Sequence, residues 1–161
     1  MSNHSHGASA HSGKGHYGRL LLMTVVSFIA MYFLMYAMVN STGNVFANVN
    51  QVYMAGLMTA VMVIIELALM SSMYERKKLN LVISGAATVA LIVFWIFTRT
   101  QTAVTDKQFL RSMIPHHAGA ILMCTRAPIR DADVRRLCQN IIASQQSEID
   151  QMKAKLKELS K

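Results

Sequence analysis

LNLVISGAATVALIVFWIFT, residues 79–98, carries no charged side chain between Lys78 and Arg99. It matches the roughly 20 apolar residues that a helix needs to cross a bilayer. Two runs of the same kind precede it. VYMAGLMTAVMVIIELALMSSM, residues 52–73, is interrupted only by Glu66, and residues 17–39 are charged only at Arg19, near their edge. Hydrophobic residues make up 53% of the 161, and their gathering into three runs points to three membrane-spanning helices, not to one soluble core. The first run exceeds the apolar stretch of a secretory signal and no small-residue cleavage site follows it, so it reads as an uncleaved anchor.

The segments between the runs set the expected orientation. Lys14 and Arg19 precede or open the first, and Arg76, Lys77 and Lys78 separate the second from the third. The connector 40–51 has no charge. By the positive-inside rule the N-terminus and the 76–78 loop lie in the cytoplasm, and the 40–51 connector and everything after Thr98 lie outside; Arg99, Lys107 and Arg111 pull the other way. The net charge of +8 is dispersed, which suits lipid headgroups or solvent better than nucleic acid. The connector 74–80 is short enough to make the second and third spans antiparallel neighbours, and Ser84, Gly85, Ala86 and Ala87 offer a small-residue patch for close helix approach. Residues 1–16, rich in Gly, Ser and His, read as a disordered leader whose His4, His6, His11 and His16 are open to loose metal binding.

After the anchor, residues 17–98, the pattern changes. Thr105 and Gln108 make a capping-box pattern, and a helix is expected to run to about Cys124 with a kink at Pro115. Pro128 and Asp131 mark a turn. Val134, Leu137, Cys138, Ile141, Ile142, Ile149, Met152 and Leu156 then recur at helical spacing. Residues 105–158 are thus expected to form an αα-hairpin, and the fold class is all-α.

The stretch with chemistry in it is Met113-Ile-Pro-His116-His117, followed by Met123 and Cys124. At about 100° per residue, Met113, His117 and Cys124 fall within about 40° of one another, flanked by His116 and Met123. On the second helix Cys138, Gln145, Glu148 and Met152 share a face. Folding the hairpin sets Cys124 near Cys138 and His117 near Gln145. Imidazole with thioether donors selects Cu(I) or Ag(I) over hard ions. Zinc gains little from methionine, and a di-iron site needs more glutamates, in Glu-x-x-His pairs. Proton-linked gating and plain packing, in which methionine fills core gaps, remain open beside metal binding.

FLRSMIPHHAGAIL, followed by LCQNIIASQQSEIDQMKAKL, resembles the bacterial domain-of-unknown-function family 305, whose pattern is M-x-P-H-H-x-x-A-I and then I-I-x-x-Q-x-x-E-I-x-x-M. The likeness covers about residues 105–156, and the three spans ahead of it resemble a membrane-anchored branch. The resemblance implies a ferritin-like helical bundle with copper or silver bound outside the cytoplasm of a bacterium. It implies Met113, His116, His117 and Met152 as ligands, with Gln145 and Glu148 at the polar positions of the motif. Longer members carry two hairpins and this chain one. Two helices bury little apolar surface alone, so a homodimer is expected to complete a four-helix bundle.

Three roles are open to Cys124 and Cys138: a disulfide across the hairpin, copper thiolates, or buried core. Nine of the thirteen methionines lie in the first two spans. Met31, Met35 and Met38 share a face of the first, while Met54, Met58, Met62, Glu66 and Met70 recur every four residues along the second as a slow spiral. Packing between helices accounts for such methionines, and a Cu(I)-passing surface is the sharper alternative, supported by Glu66, since ionisable groups within spans are costly. The function expected is a membrane-anchored Cu(I) or Ag(I) binder that buffers, sequesters or hands metal to or from a copper-carrying protein. A structural or pH-sensing subunit is the alternative. A metal-dependent oxidoreductase is the least supported, because no nucleophile–base pair or organic-cofactor fingerprint is present.

Overall fold

A computed structural model describes residues 12–161. His4, His6 and His11 lie outside them. Five α-helices follow one another: α1 Ser12–Leu34, α2 Val49–Leu69, α3 Lys77–Thr100, α4 Asp106–Arg126 and α5 Ala132–Leu159. Among the described residues there is no strand, and the class is all-α. The first three helices are each long and apolar enough to cross a membrane. Residues 12–16, expected within the leader, are already helical in α1.

The chain divides into two compact units. One holds residues up to Tyr32 together with Tyr53–Thr100, and the other holds Phe33–Val52 together with Gln101–Lys161.

In the first unit α2 is the most buried of the three long helices, burying Tyr53, Ala55, Gly56, Thr59, Ala60, Val63 and Leu67. Leu20 of α1, Ala87 of α3 and Tyr74 of the α2–α3 turn join Val63 and Leu67 in one apolar cluster. The small-residue patch expected at 84–87 contributes Ala87 to it, but nothing approaches within 4 Å of where a Cβ on Gly85 would stand. The tight approach is at Gly56, where a Cβ would stand 2.5 Å from the Phe94 ring. Any larger residue at position 56 would force the Phe94 ring of α3 to move.

Met54, Met58 and Met70 are exposed, and Met62 packs against the cluster. The methionine row of α2 therefore winds from surface to interior and back. Met35 and Met38 are not on the α1 helix at all, because the backbone tightens to a 3₁₀ turn at Met35–Met38.

The second unit is built on the antiparallel pair α4 and α5. Ile114, Ala118 and Ile121 of α4 meet Ile149 and Leu156 of α5, with Leu110, Ile142 and Met152 around them. The spacing of three, four and seven residues gives each helix one apolar stripe. Asp131 caps α5, its carboxylate accepting from the backbone N–H of Asp133 and Val134 at 2.9 Å. Pro115 sits inside a continuous α4.

The connector 33–52 belongs with this hairpin and not with the long helices that flank it. Val39 and Phe46 pack against the Ile114–Ile149 cluster, covering apolar surface that a second hairpin is expected to cover from the sequence alone. The Tyr36 hydroxyl donates to the Phe46 carbonyl at 2.8 Å. Gly119 faces the connector: a Cβ there would stand 3.5 Å from the Met38 carbonyl oxygen, in ordinary van der Waals contact.

The capping box expected at Thr105 does not form, for Thr105 makes no side-chain cap. The Gln108 side chain accepts instead from the Val49 backbone N–H at 3.1 Å, one of the orphan donors at the start of α2. Asn48 accepts from the Gln51 N–H at 3.0 Å beside it, and Asn50 donates to the Gln101 side chain at 3.0 Å. The uncharged polar connector is thus a set of hydrogen-bonding groups that fasten the hairpin to the first turn of α2.

Candidate metal centre

His117 is the buried polar side chain of the hairpin, 7% exposed between α4 and α5. Its Nδ1 lies 2.9 Å from the Met113 carbonyl oxygen, one turn back on α4. Its Nε2 lies 2.7 Å from Glu148 Oε2 on α5. A carbonyl and a carboxylate only accept. With Nδ1–H donating to the Met113 carbonyl, Nε2 is left facing a second acceptor, and a proton or another cation between Nε2 and the carboxylate joins them. A backbone carbonyl that fixes one ring nitrogen and aims the other is the arrangement that orients ligating histidines.

Consecutive residues on a helix diverge by about 100°, and the two histidines part accordingly. His116 is exposed, its ring centroid 6.1 Å from that of His117 and inclined at 63°. Met123, on the same outer side of α4, is 52% exposed. Of the residues expected to converge, His117 and Glu148 meet, while His116 and Met123 stand outside the seam. Gln145, expected opposite His117, is half-buried one turn nearer the hairpin turn, and Glu148 takes the place opposite His117.

Carrying the His117–Glu148 pairing one helical turn further in antiparallel sense sets Met113 against Met152. Both are half-buried, and Met152 packs against the Ile114–Ile149 cluster. One imidazole nitrogen, one carboxylate and two thioethers thus belong to a single stripe of the hairpin. Among the described residues no three His, Cys, Asp or Glu side chains gather.

Cys124 and Cys138 are joined in a disulfide, their Cα atoms 5.2 Å apart and 14 residues apart in sequence. No free cysteine remains, which removes thiolate from the donor set. The bridge staples the two helices together beside the 127–131 turn. Loop-closure entropy for a loop of this length is worth about 3 kcal/mol. A Cys124→Ser, Cys138→Ser variant is therefore expected to unfold about 3 kcal/mol more easily in urea, with a helical circular dichroism spectrum unchanged in buffer.

In the first unit, Glu66 is half-buried and its Oε1 accepts from the Tyr74 hydroxyl at 3.1 Å. Burial, then the hydrogen bond and charge of Glu66, raise the Tyr74 phenol above its ordinary value, so it stays a donor to Glu66 through mildly alkaline pH. Tyr17 donates to Asn80 Oδ1 at 2.7 Å and Asn80 donates to the Tyr74 carbonyl at 2.8 Å, which ties α1 to the α2–α3 turn. Tyr74, eight residues beyond Glu66, carries no periodic signal that marks it as a partner.

The described residues thus define an all-helical protein with three helices of membrane-spanning length and a disulfide-closed hairpin in which a buried histidine meets a half-exposed glutamate. Residues 96–156 match the family described as a domain of unknown function (DUF305). Over 143 residues the chain is 37% identical to an uncharacterized protein of Acanthamoeba polyphaga mimivirus, covering 86% of this chain and 91% of that one. No solved structure matches it. The chain belongs to one family with the mimivirus protein, and its C-terminal hairpin is a DUF305 domain. The likeness to that viral relative runs well beyond the hairpin into the long apolar helices.

Proposed function

We propose that the hairpin binds a monovalent soft metal ion, Cu(I) or Ag(I), as cargo, at His117 Nε2 with the thioethers of Met113 and Met152, and with Glu148 as counter-charge. The observation that carries this reading is the His117 ring, held through Nδ1 by the Met113 carbonyl and aimed through Nε2 at Glu148, with Met113 one turn before His117 and Met152 one turn beyond Glu148. Thioether donors favour Cu(I) and Ag(I) over harder ions. The three long apolar helices anchor the protein in a lipid bilayer, with the connector 40–51 and the hairpin on the same side. A disulfide in the hairpin favours the oxidising, extracytoplasmic side. In this reading the protein buffers or sequesters the ion, or exchanges it with a copper-carrying protein. Phe109, His116 and Met123, seven residues apart on the outer side of α4, form the face on which a second copy packs.

The reading is tested by metal selectivity. Purified protein in detergent is titrated anaerobically with Cu(I) against a chromophoric competitor, and separately with Zn(II). Tight Cu(I) binding and weak Zn(II) binding are expected, with the Cu(I) affinity falling at least about tenfold in a Met113→Leu, Met152→Leu variant. Zn(II) held as tightly as Cu(I), or Cu(I) affinity indifferent to both methionines, would refute it.

A further inference from the structure

The first unit contains a second place where nitrogen, oxygen and sulfur donors meet, at the end where α1 begins and the chain turns from α2 to α3. A cavity of about 200 Å³ there is lined by His16, Arg19 and Met23 of α1, Glu66 of α2, and Met73 and Tyr74 of the turn. His16 Nδ1 is buried and has no hydrogen-bond partner. The imidazole stands edge-on to the Tyr74 ring, centroids 6.5 Å apart and planes at 76°. Tyr74 in turn donates to Glu66. A buried nitrogen without a partner and a carboxylate at the end of a membrane-length helix are both costly to keep, and one cation between them satisfies both.

We propose that His16, Glu66, Met23 and Met73 form a second binding site for a monovalent soft metal ion. The donor types decide the class of ion. A hard cation wants six or more oxygens, and this cavity offers the Glu66 carboxylate and the Tyr74 phenol. Two thioethers and an imidazole suit Cu(I) or Ag(I), and methionine, with three rotatable bonds, can swing its sulfur into the cavity. The charge of the ion follows from Arg19. Arg19 lines the same cavity as Glu66, so the site already holds one cation beside its one carboxylate and tolerates a single added positive charge far better than two. The fixed Tyr74 hydrogen bond orients the carboxylate. This site stands independently of the hairpin site, sharing no residue with it.

The test counts Ag(I), which is stable in air and serves as the probe, on the full chain in detergent. Wild type, His117→Ala, and His117→Ala combined with Met23→Leu and Met73→Leu are titrated in parallel. Leucine keeps the volume of methionine, and an unchanged thermal midpoint confirms that the substituted unit still folds. The comparison of wild type with His117→Ala reads the hairpin alone. The comparison of His117→Ala with the triple variant reads the proposed site alone, since the leader histidines are common to both. Loss of one tightly bound Ag(I) in the triple variant is the expected result. Equal stoichiometry in those two variants, including none in either, overturns the proposal and leaves His16 and Glu66 as a proton-sharing or purely structural pair.

Discussion

Ile149→Ala should destabilise the hairpin unit by about 2–5 kcal/mol, the usual cost of removing a fully buried branched side chain and leaving a cavity. Among the described residues Ile149 and Ile114 are the largest side chains with no exposure, and each belongs to the cluster that joins α4, α5 and the connector. The loss is felt across all three elements, because Phe46 and Val39 rest on the same cluster. Small domains hold only about 5–15 kcal/mol in total, so much of the stability of this unit rests on one residue. Leu137→Ala is the matched control. Leu137 is 56% exposed on the same helix, and its truncation is expected to change stability by about 0.5 kcal/mol or less. Urea unfolding followed by helical circular dichroism, with the disulfide intact, measures both. Equal small effects would mean that the Ile114–Ile149 cluster does not organise the hairpin.

His117→Ala is expected to weaken Cu(I) binding about 100-fold or more, on the scale by which metal sites respond to loss of their organising groups, whereas His116→Ala should change it less than about threefold. The two histidines are neighbours in sequence and opposite in situation. One is 7% exposed with both ring nitrogens engaged, and the other is exposed on the outer side of α4. His117→Ala also leaves Glu148 without its partner, so a stability measurement accompanies the titration. Glu148 has a half-exposed side chain that water can reach, and the variant should stay folded. If His116→Ala proves the more damaging, the seam between α4 and α5 is not where the ion sits.

Much of this molecule is legible from pattern. Three long apolar runs give three long helices, and the stripe of Val, Ile, Leu and Met after Pro128 gives α5, because burial of one helical face imposes its period on the sequence. The register of the hairpin is harder to read. Pairing His117 with Gln145 misses the true partner by three residues, close to one helical turn, since glutamate reaches along the axis and helical periodicity alone cannot separate 145 from 148. The histidine pair invites a joint role, yet the angle between successive helical residues is enough to separate His116 from His117.

The role of the 33–52 connector is not legible at all. Val39 ends the first apolar run and Phe46 lies in the uncharged connector after it, with no period to say which core they enter. Gln108 shows the same limit. Its spacing from Thr105 fits a capping box, but the orphan Val49 N–H, 59 residues away, takes its side chain. The cavity around His16 and Glu66 draws on residues far apart in sequence, and Glu66 alone signals it, as an ionisable residue inside an apolar run.

The proposed soft ion sits between His117 and the methionines of the hairpin. X-ray absorption at the copper edge, on protein loaded with one equivalent of Cu(I), tests this placement most directly. Mixed imidazole-nitrogen and thioether-sulfur scattering is expected, with the sulfur contribution reduced in the Met113→Leu, Met152→Leu variant and the nitrogen contribution reduced in His117→Ala. A nitrogen-only spectrum that none of these substitutions alters would contradict the claim and place the copper elsewhere, on histidines outside the hairpin seam.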